Sequence, residues 1–212
     1  MVAHKVSEKT IRRLSHYAMC LRRARRDGLA VITSGFLSHR CGISSAAVRK
    51  DLAAYGDFGK QGSGYDVEVL LRNIEEILGT CAPPPVIVVG VGNIGRALLA
   101  SGLDGTGGYR YTAAFDSDPA MEGVGISGIT VMPAREIASA CSDLNDTIAI
   151  VAVSPGRGQE AVDSLIRAGC RSILSFNLEP LEIPPGVSLR YIEVSTELDV
   201  LTHSMKNRVE NA

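Results

Sequence analysis

Residues Val88 to Leu99 read VVGVGNIGRALL, and they place Gly90, Gly92 and Gly95 in the spacing G-x-G-x-x-G. An apolar run of strand length precedes these glycines, and a helix-like segment follows them. In that context the first glycine permits a tight turn, the second lets the backbone approach a pyrophosphate, and the third permits close packing of helix on strand. The amides that open the helix favour an anion. The stretch therefore predicts the dinucleotide-binding loop of a Rossmann-like domain.

An acidic residue in the next predicted strand supports a nucleotide ligand. Asp116 ends the stretch YTAAFD, 21 residues beyond Gly95, where a carboxylate can accept hydrogen bonds from the adenosine ribose. No arginine follows it in FDSDP, which favours NAD over NADP. The alternative is a glycine turn that binds nothing. The candidate cofactor-binding residues are Gly90, Val91, Gly92, Asn93, Ile94, Gly95 and Asp116, with Val153, Ser154 and Pro155 after a later strand.

The chain around this loop alternates apolar strands with helices. After Pro83–Pro85, which cannot continue a helix, come the strand-like runs VIVVG, YTAAFD, IAIVAV and SILSF. Helical segments are predicted at residues 94–100 and 159–168. Buried strands that alternate with helices are typical of a parallel sheet with both faces covered, so the predicted fold class is α/β.

The charge of the chain is divided unevenly. The formal net charge over 212 residues is −1, yet residues 1–60 hold 12 Lys and Arg against 4 Asp and Glu. The remaining residues hold 10 against 19. This division indicates a basic module that meets a polyanion, attached to an acidic partner domain.

Composition also indicates the compartment. No apolar run approaches the roughly 18 residues of a membrane span, and the first residues, MVAHKVSEKT, lack an apolar signal core. We therefore expect a cytoplasmic protein with no membrane partner. The five cysteines are scattered and include no C-x-x-C pair. We expect single buried thiols rather than a zinc site or a disulfide framework.

The basic segment has the pattern of a helix-turn-helix. Apolar spacing predicts a first helix over residues 7–27, and Thr33 or Ser34 opens a short second helix. After the break CGIS, a serine at 44 or 45 caps a third helix that runs to about residue 55. The glycine-rich stretch GDFGKQGSGYDV then predicts a turn or short hairpin, followed by a helix over 67–78.

The third helix is the candidate recognition helix, because the second helix of such a motif can enter a major groove. Val48, Leu52 and Tyr55 share its inner side. Arg49 and Lys50 lie on the outer side, where they can donate to guanine or to phosphate oxygens. The alternative is a helical pair whose basic face binds no nucleic acid. The candidate DNA-binding residues are Ser45, Ala46, Arg49 and Lys50, with Lys60, Gly62 and Gly64 of the glycine-rich wing.

The residues needed for catalysis are missing from the predicted Rossmann-like part. All four histidines, at positions 4, 16, 39 and 203, lie outside it, and no nucleophile and base pair is visible. We therefore favour nucleotide binding without chemistry. Two alternatives stay open: a Rossmann nucleotide- or CoA-binding enzyme subunit with an incidental helical head, and an architectural DNA-binding protein whose second domain only dimerises.

Three blocks together resemble the Rex family of redox-sensing transcriptional repressors. VRKDLAAYGDFGKQGSGYDV is similar to that family's recognition helix and wing, VVGVGNIGRALL with AAFDSDP to its NAD(H) site, and AGCRSILSFNLEPLEIPPGV to a later strand and loop. The resemblance implies a winged helix-turn-helix domain at 1–80, a Rossmann-like NAD(H)-binding domain at 85–192 and a C-terminal helix at 193–212 that is exchanged between two subunits. It also implies an operator that is released when NADH binds and occupied when NAD+ dominates.

The tail of the chain predicts a dimer. In STELDVLTHSMKNRV, Leu198, Leu201 and Met205 recur at helical spacing, and no strand remains for them to cover within one subunit. We therefore expect a homodimer that reads a palindromic double-stranded DNA operator, because paired helix-turn-helix heads match its two-fold symmetry.

Four positions depart from the family pattern. Val194 stands where the family usually has an aromatic residue near the nicotinamide, and Ser101 stands where a tyrosine is common. Met19 replaces an arginine of the first helix, and Ser175 replaces an asparagine. The tyrosine and arginine belong to the family's network for sensing the oxidised form. We therefore expect a smaller ratio of NADH to NAD+ affinity than in relatives that keep these residues.

Overall fold

The computed structural model describes residues 7–56, 64–102, 108–141 and 144–209. These residues fall into two units, the first over 7–56, 64–83 and Gly108 and the second over 84–102, 109–141 and 144–209. The division separates the basic segment from the predicted Rossmann-like part. Within the described ranges, no helix is both long and apolar enough to cross a membrane.

The first unit is helical, and each of its helices begins at a capping side chain. The caps Ser7, Thr33, Ser44 and Asp66 each accept a hydrogen bond from the amide three residues later, which satisfies one of the unpaired donors of the first turn. The predicted helices are confirmed, with the third ending at Ala53 rather than near residue 55. The elements are α1 (Glu8–Arg26), β1 (Val31–Ile32), α2 (Ser34–Cys41), α3 (Ser45–Ala53), β2 (Tyr65–Asp66) and α4 (Val67–Leu78).

The inner sides of these helices share one apolar core. Leu14 and Leu21 of α1, Leu37 of α2, Leu52 of α3 and Leu70 of α4 are all buried in it. β1 and β2 pair antiparallel, which joins the residues before α2 to those before α4. The predicted wing therefore ends in a strand pair, while its residues 57–63 lie outside the described ranges.

The second unit contains a seven-stranded sheet in the order β5-β6-β4-β3-β7-β8-β9. All neighbouring strands run parallel except β5 and β6. The strands are β3 (Val86–Val89), β4 (Tyr111–Asp116), β5 (Gly125–Ile126), β6 (Ile129–Pro133), β7 (Ile148–Val151), β8 (Ser172–Ser175) and β9 (Ser188–Tyr191), and the helices are α5 (Asn93–Ser101), α6 (Ile137–Ala140), α7 (Gly158–Arg167) and α8 (Val194–Val209).

The sequence patterns predicted β3, β4, β7 and β8 and the helices α5, α7 and α8. They missed β5, β6 and β9. These three strands lie toward the edges of the sheet, where β5 and β9 have no buried residue and β6 is buried only in part, so they carry no long apolar run.

The cysteines do not all behave as single buried thiols. Cys170 is buried as expected, whereas Cys81 is exposed. The sulfurs of Cys20 and Cys41 lie 3.2 Å apart, because α1 and α2 pack together at that point. The expectation of isolated thiols is therefore wrong for this pair.

A candidate dinucleotide crevice and nucleic-acid interface

The carboxyl ends of β3, β4 and β7 meet at one edge of the sheet. β3 connects to β4 on one side and neighbours β7 on the other, so the strand order reverses there. Such a reversal opens a crevice outside the strand ends, which is where open α/β sheets bind ligands. A cavity of about 580 Å³ occupies this position. Its walls come from residues 90–92, 116–118 and 152–154, together with Arg96, Met121 and Arg157.

The three glycines of the loop have different surroundings. Gly90 has a φ of 94°, and a Cβ there would lie 2.5 Å from the carbonyl oxygen of Ala152. A Cβ on Gly95 would collide with the carbonyl oxygen of Gly90, so this glycine allows the helix to approach the strand. Nothing lies within 4 Å of the position of a Cβ on Gly92. The space over Gly92 is therefore open to a ligand.

The two helices whose first residues lie beside this cavity, α5 and α7, differ at their N-termini. The carboxylate of Glu179 accepts hydrogen bonds from the amides of Gly156 and Gly158, both at 2.8 Å, and so occupies the start of α7. At the start of α5, Gly92 offers no side-chain cap. Because unpaired amides and the helix dipole favour an anion, α5 is the helix that can bind phosphate. The patterns missed Glu179, since it lies more than twenty residues from these amides in sequence.

Asp116 lies beside the open helix end. Its Oδ2 accepts from the Val91 amide at 2.6 Å, and its Oδ1 accepts from the Asp118 amide at 2.8 Å. Each carboxylate oxygen has two acceptor sites, so both keep capacity for another donor. The carboxylate therefore shapes the glycine loop and can still accept from ribose hydroxyls.

A buried amide orders the loop after β7. The Nδ2 of Asn177 donates to the carbonyl oxygens of Val153 at 3.0 Å and Ser154 at 3.4 Å. Ser175 is fully buried, and its hydroxyl bonds to both the backbone amide and the carbonyl of Asn177. These contacts hold the β7 loop against the crevice.

The crevice brings together most, but not all, of the predicted cofactor-binding residues. Gly90, Val91, Gly92, Asp116, Val153 and Ser154 line it. Asn93, Ile94, Gly95 and Pro155 do not, because the first three have already entered α5 and Pro155 lies in the exposed turn before α7.

Two arginines in the crevice wall were missing from the sequence interpretation. Arg96 on α5 donates to the sulfur of Met121 at 3.4 Å, and Arg157 forms an ion pair with Glu160 at 3.2 Å. Both are basic groups near the open start of α5. The one sequence signal for them is that each arginine directly follows a glycine, Arg96 after Gly95 and Arg157 after Gly156.

The candidate recognition helix presents its basic residues to solvent. Val48 and Leu52 are buried, whereas Ala46, Arg49 and Lys50 are exposed and Ser45 is half-buried. The predicted inner and outer sides of α3 are confirmed. Arg49 donates from Nη1 to the Ser34 hydroxyl at 3.3 Å.

Of the three DNA-binding candidates in the wing, the structure describes Gly64. Lys60 and Gly62 lie outside the described residues. Gly64 has a φ of 78°, and a Cβ there would lie 2.6 Å from the carbonyl oxygen of Ile32. Its glycine is therefore required by the pairing of β1 with β2.

A buried carboxylate fixes α3 on α1. Arg13 donates from Nε and Nη2 to the two oxygens of Asp51, both at 2.6 Å, and the Tyr17 hydroxyl donates to Oδ2 at 2.9 Å. The hydrogen bonds from Arg13 hold the pKa of Asp51 below its usual value. The sequence interpretation missed this network because its members lie 34 and 38 residues apart.

Comparison with known protein families divides the chain in the same way. The family model described as putative DNA-binding protein N-terminus matches residues 5–53. The model described as CoA binding domain matches residues 83–178.

Curated relatives match along nearly the whole chain. The redox-sensing transcriptional repressor Rex of Desulfitobacterium hafniense is 38% identical over 204 residues, which is 96% of this chain and 97% of that protein. Rex of Pelotomaculum thermopropionicum is 36% identical over 212 residues and all of both chains. Rex of Streptomyces coelicolor is 35% identical over 98% of this chain and 81% of its own.

Solved structures of related proteins align with nearly the whole chain. The crystal structure of RSP with β-NAD+ and operator DNA aligns with a TM-score of 0.82 at 30% identity, over 96% of this chain and 94% of that one. RSP with β-NADH aligns with a TM-score of 0.81 at 28% identity, over 96% of both chains.

A basic helix-turn-helix unit and a Rossmann-like unit with an open crevice define a DNA-binding regulator that responds to a nucleotide. The chain belongs to the Rex family of redox-sensing transcriptional repressors. The predicted family and fold class are confirmed. Since the relatives are repressors over their full length, the alternative of a CoA-binding enzyme subunit is set aside.

Proposed function

We propose that this chain binds NAD+ and NADH in the crevice at the start of α5, binds operator DNA through α3, and releases the operator when NADH replaces NAD+. The observation that carries this proposal is the free N-terminus of α5 beside Asp116. It offers amides to a pyrophosphate and an acceptor to a ribose in one cavity. Related RSP binds β-NAD+ and β-NADH, which supports the choice of ligand.

The crevice favours NAD(H) over its phosphorylated form. Asp116 is an acceptor at the end of β4, and a 2′-phosphate placed there would meet like charge. Gly90, Val91 and Gly92 form the phosphate loop, Asn93, Ile94 and Gly95 open the helix, and Val153, Ser154 and Pro155 form the opposite wall. Arg96 and Arg157 supply positive charge for the pyrophosphate.

The DNA interface follows from the outer side of α3. Small residues at Ser45 and Ala46 let the helix approach base edges, and Arg49 and Lys50 donate to bases or phosphates. Lys60, Gly62 and Gly64 of the wing contact the backbone or the minor groove. RSP binds operator DNA, and its structure in that complex aligns over nearly all of this chain.

The active form is a homodimer on a palindromic operator. Leu198, Leu201 and Met205 of α8 are each more than half exposed, so the helix has an apolar surface that the described residues of its own subunit leave uncovered. A second copy buries that surface. Sedimentation of a chain lacking residues 194–212 should show monomers or aggregates, and a tight soluble dimer would contradict the exchanged helix.

We assign one role to each of three parts of the chain. Residues 1–80 bind DNA, residues 85–192 bind the dinucleotide and residues 193–212 dimerise. We place the protein in the cytoplasm.

The proposal is tested by coupling the two ligands. Duplexes selected from a random pool by the purified protein are titrated by fluorescence anisotropy with no dinucleotide, with NAD+ and with NADH. We expect NADH to weaken binding and NAD+ to leave it intact. A DNA affinity that NADH does not change would contradict the function.

A variant locates the DNA contact in the same assay. Arg49→Ala should weaken operator binding by about 1–3 kcal/mol if Arg49 reads a base edge. The matched control is Arg12→Ala, an exposed arginine of α1 whose ion pair with Glu8 lies on the helix surface. Equal effects of both variants would contradict the role of Arg49.

A further inference from the structure

Two thiols of the first unit lie side by side. Cys20 on α1 and Cys41 at the end of α2 are 21 residues apart in sequence, and their sulfurs are separated by 3.2 Å. Both side chains are half-buried and pack against the core of the unit. Of the other described cysteines, Cys81 is exposed, and Cys141 and Cys170 belong to the second unit.

The surrounding structure allows these sulfurs to bond without moving the recognition helix. A disulfide has a length of about 2.05 Å, so the sulfurs need to approach by only about 1.2 Å. Cys41 is the last residue of α2 and is followed by Gly42, whose φ of 66° ends the helix. The adjustment can therefore fall on this turn, because Arg13 and Asp51 hold α1 against α3 independently.

We propose that Cys20 and Cys41 form a reversible disulfide, a thiol-based redox site separate from the dinucleotide crevice. The bond ties α1 to α2 directly before the recognition helix. This covalent cross-link stabilises the DNA-binding unit in its present conformation. Its consequence for operator binding rests on the proposed function, whereas the bond itself does not.

The reaction needs an oxidant of the low-molecular-weight disulfide class, such as glutathione disulfide. Cys41 is the last residue of α2, where the helix dipole disfavours a thiolate, and burial raises the pKa of its thiol, so we assign the first attack to Cys20. The Cys20 sulfur, having lost its proton, bonds to one sulfur of the oxidant and releases the other as a thiolate. Cys41 then gives its proton to that thiolate and attacks the Cys20 sulfur, which releases the second half of the oxidant.

The electrons and protons balance in this exchange. Two protein thiols lose two electrons and form one S–S bond, and one oxidised small disulfide gains them and becomes two thiols. The reverse exchange with excess small thiol restores both cysteines.

The test uses the full-length protein in glutathione buffers of increasing oxidised fraction, followed by alkylation of free thiols and tryptic digestion without reductant. The cysteines lie in the tryptic peptides 14–22 and 41–49. We expect a linked pair of these peptides, two hydrogens lighter than their sum. We also expect the melting temperature to rise by about 5 °C or more on oxidation and to return on reduction.

Variants and a DNA measurement distinguish a stabilising disulfide from mixed disulfide formation with glutathione and from a bond that disrupts DNA binding. Cys20→Ser and Cys41→Ser should each abolish the link and the thermal shift, and the matched control Cys81→Ser should keep both. Operator affinity without dinucleotide should stay within about two-fold on oxidation. Glutathione attached to Cys20 without the internal link, or a ten-fold loss of operator affinity in the linked protein, would overturn the proposal. If the reduced protein binds no duplex DNA, the proposed function fails, while the linked peptides and the melting shift still decide the disulfide.

Discussion

Asp51 and Asp116 are both carboxylates on regular elements, yet their surroundings give them opposite roles. Asp51 is 7% exposed, and a bidentate arginine and a tyrosine hydroxyl use both of its oxygens. Asp116 is half-buried, accepts only one backbone amide on each oxygen and lines a cavity. The first carboxylate is closed inside the protein, whereas the second retains capacity for a ligand.

This difference shows which carboxylates matter for stability and which for binding. Removing one partner of a charge pair inside the core destabilises the fold, and a carboxylate paired in this way is inaccessible to solvent and ligands. A carboxylate satisfied by backbone amides at a strand end shapes a loop and remains available. Glu179 is a third case, since it occupies the start of α7 and leaves the start of α5 as the free anion site.

The largest loss of stability is expected from breaking the hydrogen-bond network of Arg13, Tyr17 and Asp51. Asp51→Asn removes the charge that pairs with Arg13, so the free energy of unfolding should fall by about 2–3 kcal/mol. The control Arg12→Gln removes an exposed pair and should cost less than about 0.5 kcal/mol. Urea unfolding of both variants measures these changes. Similar losses in the two variants would contradict the closed role of Asp51.

The same pair predicts a pH dependence. Because Arg13 lowers the pKa of Asp51 in the folded state, the pair stabilises the protein fully above the ordinary aspartate pKa of about 3.9. That stabilisation is lost as the pH falls through the lower folded-state pKa. The stability difference between the wild type and Asp51→Asn should therefore shrink in this acid range, measured by thermal unfolding from pH 7 down to pH 3. A difference that stays constant would show that the charge of Asp51 is not its cause.

The next effect concerns the open carboxylate. Asp116→Arg removes an acceptor for the ribose and supplies a cation, so NADH affinity should fall about ten-fold or more and NADPH should gain relative to NADH. The control Asp116→Asn keeps an acceptor oxygen and should lose less. Calorimetry with both dinucleotides measures the exchange. An unchanged preference would remove Asp116 from the ribose site.

A smaller loss of stability is expected when Glu179 is removed from the start of α7. Glu179→Ala removes two charge-assisted hydrogen bonds to backbone amides and should lower stability by about 1–2 kcal/mol. The control Glu160→Ala, in the exposed first turn of the same helix, should lower the free energy of unfolding by only about 0.3 kcal/mol. Thermal unfolding distinguishes them, and equal melting temperatures would contradict the capping role of Glu179.

The smallest effect concerns the redox preference. An apolar aromatic pocket favours uncharged dihydronicotinamide over the cationic ring, since burying an unpaired charge is costly. Val194 offers less stacking surface than an aromatic residue, and the Ser101 hydroxyl is bonded to the carbonyl of Leu98 at 3.0 Å. Parallel titrations should give a smaller ratio of NADH to NAD+ affinity than in a Rex protein that keeps the aromatic residue and the tyrosine. A matching ratio would show that other residues perform this discrimination.

Much of the fold was predictable because its signals are local. The caps Ser7 and Thr33 lie within four residues of the amides that they bind, and the run VIVVG is continuously apolar, as is typical of a strand buried on both faces of a parallel sheet. The spacing of Gly90, Gly92 and Gly95 likewise fixes a turn between strand and helix. The outer strands β5, β6 and β9 were not predictable, because they are held by pairing with their neighbours in the sheet rather than by a buried apolar run that a sequence pattern would show.

The sequence by itself determined the two parts of the chain, the basic outer side of α3 and the glycine loop with Asp116, since period, charge and spacing are properties of neighbouring residues. Only the tertiary structure decided which groups meet across long separations. It paired Asp51 with Arg13, brought Cys20 to Cys41 and seated Glu179 at the start of α7. The physical reason is that hydrogen bonds and thiol contacts act over about 3 Å, and packing of distant helices and strands sets which atoms come that close.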